Sequence, residues 1–372
     1  MKSPKYLLYP FAILYGSIIT IRNILFNLGI LRSRDFRVWV ISIGNLSTGG
    51  TGKSPHTEYI ARLLEKLTRS YENLGLTFDK IGVLSRGYGR STNGFLLVNN
   101  SSNAKEVGDE PMQLKRRLNN VYIGVDEKRV RGISLLMGLN PQLKIILLDD
   151  AFQHRSVKPT FSILLTNYNT PFYNDHMLPA GMLREPVRGY KRAQFIIVTD
   201  TPHNITDVEK KLIRDKINPL PKQKVFFSSI YYQSLVPLSN NNIEIPVIDK
   251  NYSIVLLTGI ANPHSLYNHL AEMARDVVHI SFPDHHFFDI GDVAKVMKAY
   301  NAITNPKKII ITTEKDFIRL QLEQLVRDLG TAPAFYLPIE VKVHDEQHFE
   351  DAFISNLSVL DPSKPIRKIA NK

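Results

Sequence analysis

Residues 47 to 54 read Ser-Thr-Gly-Gly-Thr-Gly-Lys-Ser, a run of glycines and hydroxyl side chains ending in a lysine and a serine. Glycines let successive backbone N–H groups curl around an anion, and a helix starting directly behind them adds partial positive charge. In that arrangement Lys53 reaches the β- and γ-phosphates of a nucleotide, and the Ser54 hydroxyl ligates Mg²⁺. The common pattern G-x-x-x-x-G-K-[ST] would place its first glycine where this chain has Ser47, so the run is a variant of that loop. The expectation is ATP or GTP held by Ser47, Thr48, Gly49, Gly50, Thr51, Gly52, Lys53 and Ser54.

Acidic groups that could serve the same chemistry lie elsewhere. Asp149 and Asp150 close an apolar run, and ligands of open α/β sheets gather at the carboxyl ends of strands. One of the pair, with Ser54, would anchor Mg²⁺; the other would hold a metal-bound water or orient a nucleophile. A solvated turn is the plainer alternative. Asp109 and Glu110 precede Pro111 and a helical stretch, where the local reading is a helix cap and a first-turn acid. Asp284, His285 and His286 follow an apolar run, but neighbours on an extended chain point to opposite sides, so a shared metal is not expected. A single histidine oriented by a carboxylate, acting as acid, base or relay, competes there with a structural loop histidine.

These groups need a scaffold. Residues 38–43 are β-branched and apolar, as a buried strand requires, and Tyr59, Ile60, Leu63, Leu64 and Leu67 recur at helical spacing behind the loop. Pro55 falls in the first turn of that helix, where its missing N–H matters little. Further strand-like runs at 81–84, 121–125, 144–148, 161–165 and 194–199 alternate with helical stretches, which predicts a mostly parallel sheet covered by helices. A helix is expected over about 205–216, and a turn of a linking hairpin within 238–246. Strand–helix alternation restarts at 252, with strands at 277–282, 308–312 and 334–343, so a second, smaller α/β domain is expected. The strand ends at Gly259-Ile260-Ala261 and at residues 312–316 would face either the cleft between the domains or solvent.

At 372 residues the chain is long for one core. The expected division is a membrane-associated helix at 1–31, a nucleotide-binding domain at 32–225 and a C-terminal α/β domain with linker strands at 226–372. Cysteine is absent, which excludes a disulfide scaffold, a cysteine zinc site and a thiol nucleophile. The net charge of +12 favours anionic partners, yet no zinc-finger spacing, RNP-type aromatic motif or long basic run points to nucleic acid. Residues 6–21 carry no charge, and Gly16, Thr20, Asn23 and Asn27 draw a narrow polar stripe along them and beyond. Lys2, Lys5, Arg22, Arg32, Arg34 and Arg37 flank or interrupt this segment. A helix lying in the membrane interface fits, with its apolar face in the acyl boundary, basic groups among head groups and Arg22 snorkelling. A buried core helix is the plainer alternative. A signal peptide is disfavoured, because no small-residue cleavage site follows.

Taken in order, residues 40–55 with the loop, Leu84–Arg90, Gly108–Pro111, Leu147–Arg155, Leu178–Pro186, Phe282–His286 and Thr312–Phe317 resemble the tetraacyldisaccharide 4′-kinase (lipid A 4′-kinase) family across nearly the whole chain. The resemblance implies a P-loop NTPase-like kinase at the cytoplasmic face of a bacterial inner membrane, using ATP and Mg²⁺. Its acceptor would be an acylated disaccharide 1-phosphate glycolipid, phosphorylated on the 4′-hydroxyl at the membrane surface, with no obligate protein partner evident. It also implies that Asp109 is the catalytic aspartate, against the local capping reading, and that His285 is its partner. Asp149 and Asp150 resemble the metal-side pair, with Ser54 as hydroxyl ligand; Glu110, Gln153, His154, Arg184 and Glu185 fall in active-site motifs. Arg184 is expected to contact phosphate, and Glu185 a metal or a lysine. The chain departs from the family pattern in Ser54, where threonine is frequent, and in Ala151, where glycine is usual. The loop also resembles that of ParA/MinD-like switch ATPases, but Thr48 stands where those carry a signature lysine.

Overall fold

The computed structural model describes residues 7–71, 80–239, 244–320, 323–330 and 332–359. Lys2, Lys5 and Tyr6, residues 240–243 of the expected hairpin turn and the polar tail from Asp361 lie outside the described residues. In chain order the first strands are β1 (Trp39–Asn45), β2 (Ile81–Ser85), β3 (Leu96–Leu97), β4 (Tyr122–Val125), β5 (Ile145–Asp149), β6 (Phe161–Asn167), β7 (Phe195–Thr199) and β8 (Lys224–Tyr232). After them come β9 (Val236–Pro237), β10 (Ser253–Thr258), β11 (Asp276–Ser281), β12 (Lys308–Thr313), β13 (Ala334–Leu337) and β14 (Ile339–Val343).

Nine strands make one sheet in the order β14-β8-β7-β6-β1-β5-β2-β4-β3. β1 lies between β5 and β6 and is parallel to both; the edge strands β3 and β14 run antiparallel to their neighbours. Strands of a parallel sheet are covered on both faces, which is why β1, β5 and β6 read as continuous apolar runs rather than alternating ones. Chain order departs from β1 in both directions, so the crevice at its carboxyl end is a topological switch point. The helix Lys53–Tyr71 covers one face, burying Ile60, Ala61, Leu64 and Leu67 against Ile41, Ile43 and Leu147. A second sheet, β11-β10-β12-β13-β9, is parallel except for β9.

The run 334–343, expected as one strand of the second domain, is divided between the sheets. β13 pairs with β12, whereas β14 pairs with β8 of the large sheet. Pro338 stands between them; it has no N–H to continue a ladder. The expected boundary at residue 226 therefore falls inside β8, and the chain returns to the first sheet at its end. The last helix, Glu346–Val359, seats Phe349 and Phe353 among Phe161, Phe195 and Phe226.

The N-terminal helix spans Tyr9–Asn27, longer than the uncharged run alone indicated. Pro10 sits at its very start, where a missing N–H weakens nothing. The polar stripe turns inward. Gly16 faces Met177, and Asn23 and Asn27 accept hydrogen bonds from Arg155. Arg22 does not snorkel: it stacks over Phe26 and donates to the Gln153 carbonyl. Leu7, Phe11, Ile13, Leu14, Ile18 and Ile21 are left exposed on the other side.

Candidate active site

Between β1 and the helix Lys53–Tyr71 the backbone turns through Gly49 (φ +97°) and Gly52 (φ +72°), left-handed values that favour glycine. The Thr48 N–H donates to the Met182 carbonyl (2.7 Å), and the Asn45 side-chain amide donates to Thr51 Oγ1 (2.8 Å). Lys53 Nζ lies 3.4 Å from the Gly49 carbonyl and 3.9 Å from Asp150 Oδ2. One supporting residue carried no sequence signal. His56, fully buried, donates from Nδ1 to the Gly52 carbonyl (2.6 Å), so its Nε2 accepts from Ser228 Oγ (2.8 Å).

Burial pushes His56 down to about 4, against the bond to Gly52 that raises it. Between that value and the ordinary one near 6.5 the unfolded chain binds the proton and the folded chain does not, so stability falls on acidification. Across this window His56 is expected to contribute a slope of about 1.4 kcal/mol per pH unit. His154, also lowered to about 4, contributes in the same sense. Thermal melts between pH 7 and 5 should therefore show a smaller loss for His56→Asn than for the parent chain; an unchanged slope would contradict the buried neutral form.

β5 delivers Asp149 and Asp150 beside the turn. Asp149, wholly buried, accepts from Thr57 Oγ1 (3.1 Å) and Ser85 Oγ (3.3 Å), with Ser54 Oγ at 3.5 Å. Burial, with the charges of Glu110 and Asp150, pushes Asp149 up to about 7. Asp150 has a left-handed φ of +46° and takes two bonds from Arg184 (2.7 and 3.2 Å). Burial would raise its carboxyl, but Lys53 and Arg184 outweigh that and hold it below the usual carboxylate range. Arg184 also donates to Asn45 Oδ1, so it ties Asp150 to the end of β1. Arg129, buried and unremarked in the sequence, donates to the Asp149 carbonyl (3.1 Å).

The second unit faces this crevice with the ends of β10 and β12. Ala261 stands within 3.8 Å of the position a Cβ on Gly50 would take. Asp109 opens the helix Asp109–Arg117 instead of capping it; Gly108 is the cap residue, and Asp109 Oδ1 accepts from the Glu110 N–H. Its Oδ2 lies 3.1 Å from His285 Nδ1 and accepts from Arg319 Nε at 2.7 Å. Lys315 pairs with Glu110 (3.1 Å) and approaches Asp109 (3.9 Å), while Arg117 bridges Glu58 and Glu314. Burial works to raise Asp109, yet His285, Lys315 and Arg319 together hold it far below the carboxylate range. His285 takes a left-handed φ of +60°, with Asp284 Oδ2 3.5 Å from its Nε2 and the Tyr88 ring 5.0 Å away. His286 turns away to Asp292 (2.7 Å), so the adjacent histidines share no ligand.

The model of the family described as tetraacyldisaccharide-1-P 4′-kinase matches residues 4–358. The chain belongs to this family. Among its relatives, the tetraacyldisaccharide 4′-kinase of Flavobacterium psychrophilum is 44% identical over 354 residues, covering 94% of this chain and 95% of that one. The enzyme of the same name from Bacteroides thetaiotaomicron is 40% identical over 350 residues, covering 91% and 89%. A crystal structure of LpxK from Aquifex aeolicus, in complex with ATP, superposes with a TM-score of 0.68 at 27% identity, covering 95% of this chain and 99% of that one. The match favours the kinase reading over a ParA/MinD-like switch.

Within this 4′-kinase fold the remaining expected residues are structural neighbours of the turn. Gln153 donates to the Asn45 carbonyl (2.7 Å) and to Glu185 Oε1 (3.1 Å). Glu185 is almost fully buried and meets Arg192 (2.8 Å) and the Asn23 amide, so the basic side chain beside it is an arginine where a lysine was one expectation. His154 lies in a cationic setting, lowered by burial and then by Arg129 and Arg86. Arg319, absent from the sequence candidates, has a side chain with no exposure and joins Asp109 to Asp316 and the Gly259 carbonyl. Only its spacing after the 312–317 motif could have suggested it.

Proposed function

We propose that this 4′-kinase transfers the γ-phosphoryl group of ATP to the 4′-hydroxyl of a tetraacylated disaccharide 1-phosphate held at a membrane surface, leaving the 1,4′-bisphosphate and ADP. The observation that carries the assignment of roles is the nearness of two clusters, Lys53 with Asp149 and Asp150 at the end of β5, and Asp109 with His285 at the head of the helix Asp109–Arg117, where Glu110 is close enough for its charge to raise Asp149. The turn at 47–54 holds the phosphates, its N–H groups and Lys53 Nζ supplying positive charge where negative charge gathers in the transition state. The acceptor oxygen forms its bond to phosphorus as the bond to the ADP oxygen breaks, and its proton passes to Asp109 Oδ2. A carboxylate held ionised by Arg319 and Lys315 is a weak base, so position rather than strength suits it to accept a proton late in a loose transition state. His285 orients that carboxylate.

Magnesium fits the donors present. Ser54, Asp149 and Asp150 offer hard oxygens beside the turn, and no group of three or more His, Cys, Asp or Glu side chains that could hold a metal occurs among the described residues. Phosphate oxygens would complete the shell, and the cation would neutralise charge on them. The test is transfer of label from γ-labelled ATP to the purified acylated disaccharide 1-phosphate in detergent. Label released as inorganic phosphate, with the glycolipid unmodified, would defeat the reading.

The exposed face of the helix Tyr9–Asn27 fits membrane association, and we assign it to the cytoplasmic surface of the inner membrane, where ATP is available. Its inward stripe is bonded to the kinase body, so the helix lies along the interface with its outer face in the acyl boundary. Phe11→Glu with Ile18→Glu is expected to weaken binding to neutral phosphatidylcholine vesicles about a hundredfold, measured by sedimentation. Unchanged partitioning would reject this docking.

A further inference from the structure

A cavity of about 690 Å³ lies between the end of the N-terminal helix, residues 151–159 and residues 192–194. It sits on the face of β1 that carries Ser42, whose register partners are Leu148 and Ser162. Four cations line it, Arg32, Arg155, Lys158 and Arg192, and none of the described residues lining it is acidic. Arg192 is matched by Glu185, and Lys158 by Asp35 at 3.7 Å; Arg32 and Arg155 form no direct ion pair among the described residues, Glu185 acting on Arg155 only through space. Arg155 bonds to neutral acceptors on Asn23 and Asn27, and burial with Arg192 and Arg22 lowers its guanidinium from the ordinary value. The Ser42 hydroxyl, 2% exposed, lines this space with no hydrogen-bond partner in the protein. A buried orphan donor beneath an excess of positive charge is the chemistry of an anion site.

On the side toward the phosphate turn stands the network of Gln153, Glu185 and Asn23, tied to the Asn45 carbonyl. The same Glu185 and Asn23 hold two of the cavity's cations, Arg192 and Arg155. Leu28, Ile30 and Leu31, all exposed, continue the apolar face of the N-terminal helix beside it. We propose that this cavity binds the phosphate head group of an anionic bilayer lipid distinct from the acceptor, so that the enzyme docks through an apolar face and one specific head-group contact. The proposal rests on the membrane docking proposed above. The two are separable, because binding to neutral vesicles reports the helix and the preference for anionic ones reports the cavity.

The experiment compares sedimentation with phosphatidylglycerol-containing and pure phosphatidylcholine vesicles. Arg32→Gln with Lys158→Gln removes charge at the exposed rim, and Ser42→Leu fills the interior without changing charge. Each is expected to reduce the anionic preference about tenfold, leaving neutral-vesicle binding and detergent-phase turnover at parent levels. Should Ser42→Leu fail to fold, Ser42→Val serves in its place. A serine variant with undiminished preference would assign the effect to surface charge and overturn the site. Thermal stabilisation by inorganic phosphate alone, equal to that by anionic vesicles and lost in the variants, would make the ligand a free ion and overturn the lipid assignment. A raised KM for the acceptor in detergent would hand the cavity to the substrate, with the same consequence.

Discussion

Lys53→Ala is expected to lower turnover about a thousandfold while the protein remains folded. The ammonium group is mostly covered and lies between the Gly49 carbonyl and Asp150, so it is held at the inner wall of the turn rather than free in solvent. Little of the fold depends on it. Asp150 keeps its two-point contact with Arg184, and the turn keeps the Thr48, Thr51 and His56 bonds that shape it. The loss should therefore appear in kcat with the melting temperature nearly unchanged. Near-parental turnover in a folded variant would remove the phosphate turn from the mechanism.

Asp109→Asn should lower kcat by a similar factor, about a hundred- to ten-thousandfold, because the amide cannot take the acceptor proton. Unlike Lys53, Asp109 also has a structural charge to answer. The Arg319 side chain is wholly buried and divides its guanidinium between Asp109 and Asp316. Removing one of two anions beside a buried cation is expected to cost about 3 kcal/mol of stability. ATP affinity should stay at the parental level, since Asp109 lies outside the phosphate turn. The decisive comparison is Arg319→Lys, which keeps a cation and the Asp109 base: it should melt lower yet retain far more turnover. A folded Asp109→Asn enzyme with ordinary turnover would refute the proton-acceptor role.

The contrast between these substitutions shows why the crevice is built from two units. The phosphate turn is preformed by local backbone, and its supports come from the first sheet. Asp109 comes from that unit as well, yet His285, Lys315 and Arg319, which orient and ionise it, all come from the second. Any change in the seating of the second unit would alter the setting of Asp109, while the bonds of the turn to Asn45, Met182 and His56 come from the first unit alone.

Much of this was determined by the sequence alone. Strand, glycine turn, lysine and helix follow one another within thirty-three residues, 39–71, so local conformational preference suffices to specify the turn. The parallel sheet follows from apolar runs alternating with helical spacing. Tertiary structure decided what depends on residues far apart in the chain. The pairing of Asp109 with His285 spans 176 positions; the family resemblance implied it, but no local pattern in the chain carries it, and the structure brings the two to 3.1 Å. Glu185 and Gln153 became supports of the turn because Arg192 and Asn45 happened to meet them, which motif spacing does not encode. Residues 339–359 returned to the first sheet because β8 offered an unpaired edge and the core lacked the rings of Phe349 and Phe353. Sequence sets short-range geometry through backbone sterics and periodicity; long-range partnership is set by which surfaces remain to be covered when the sheets close.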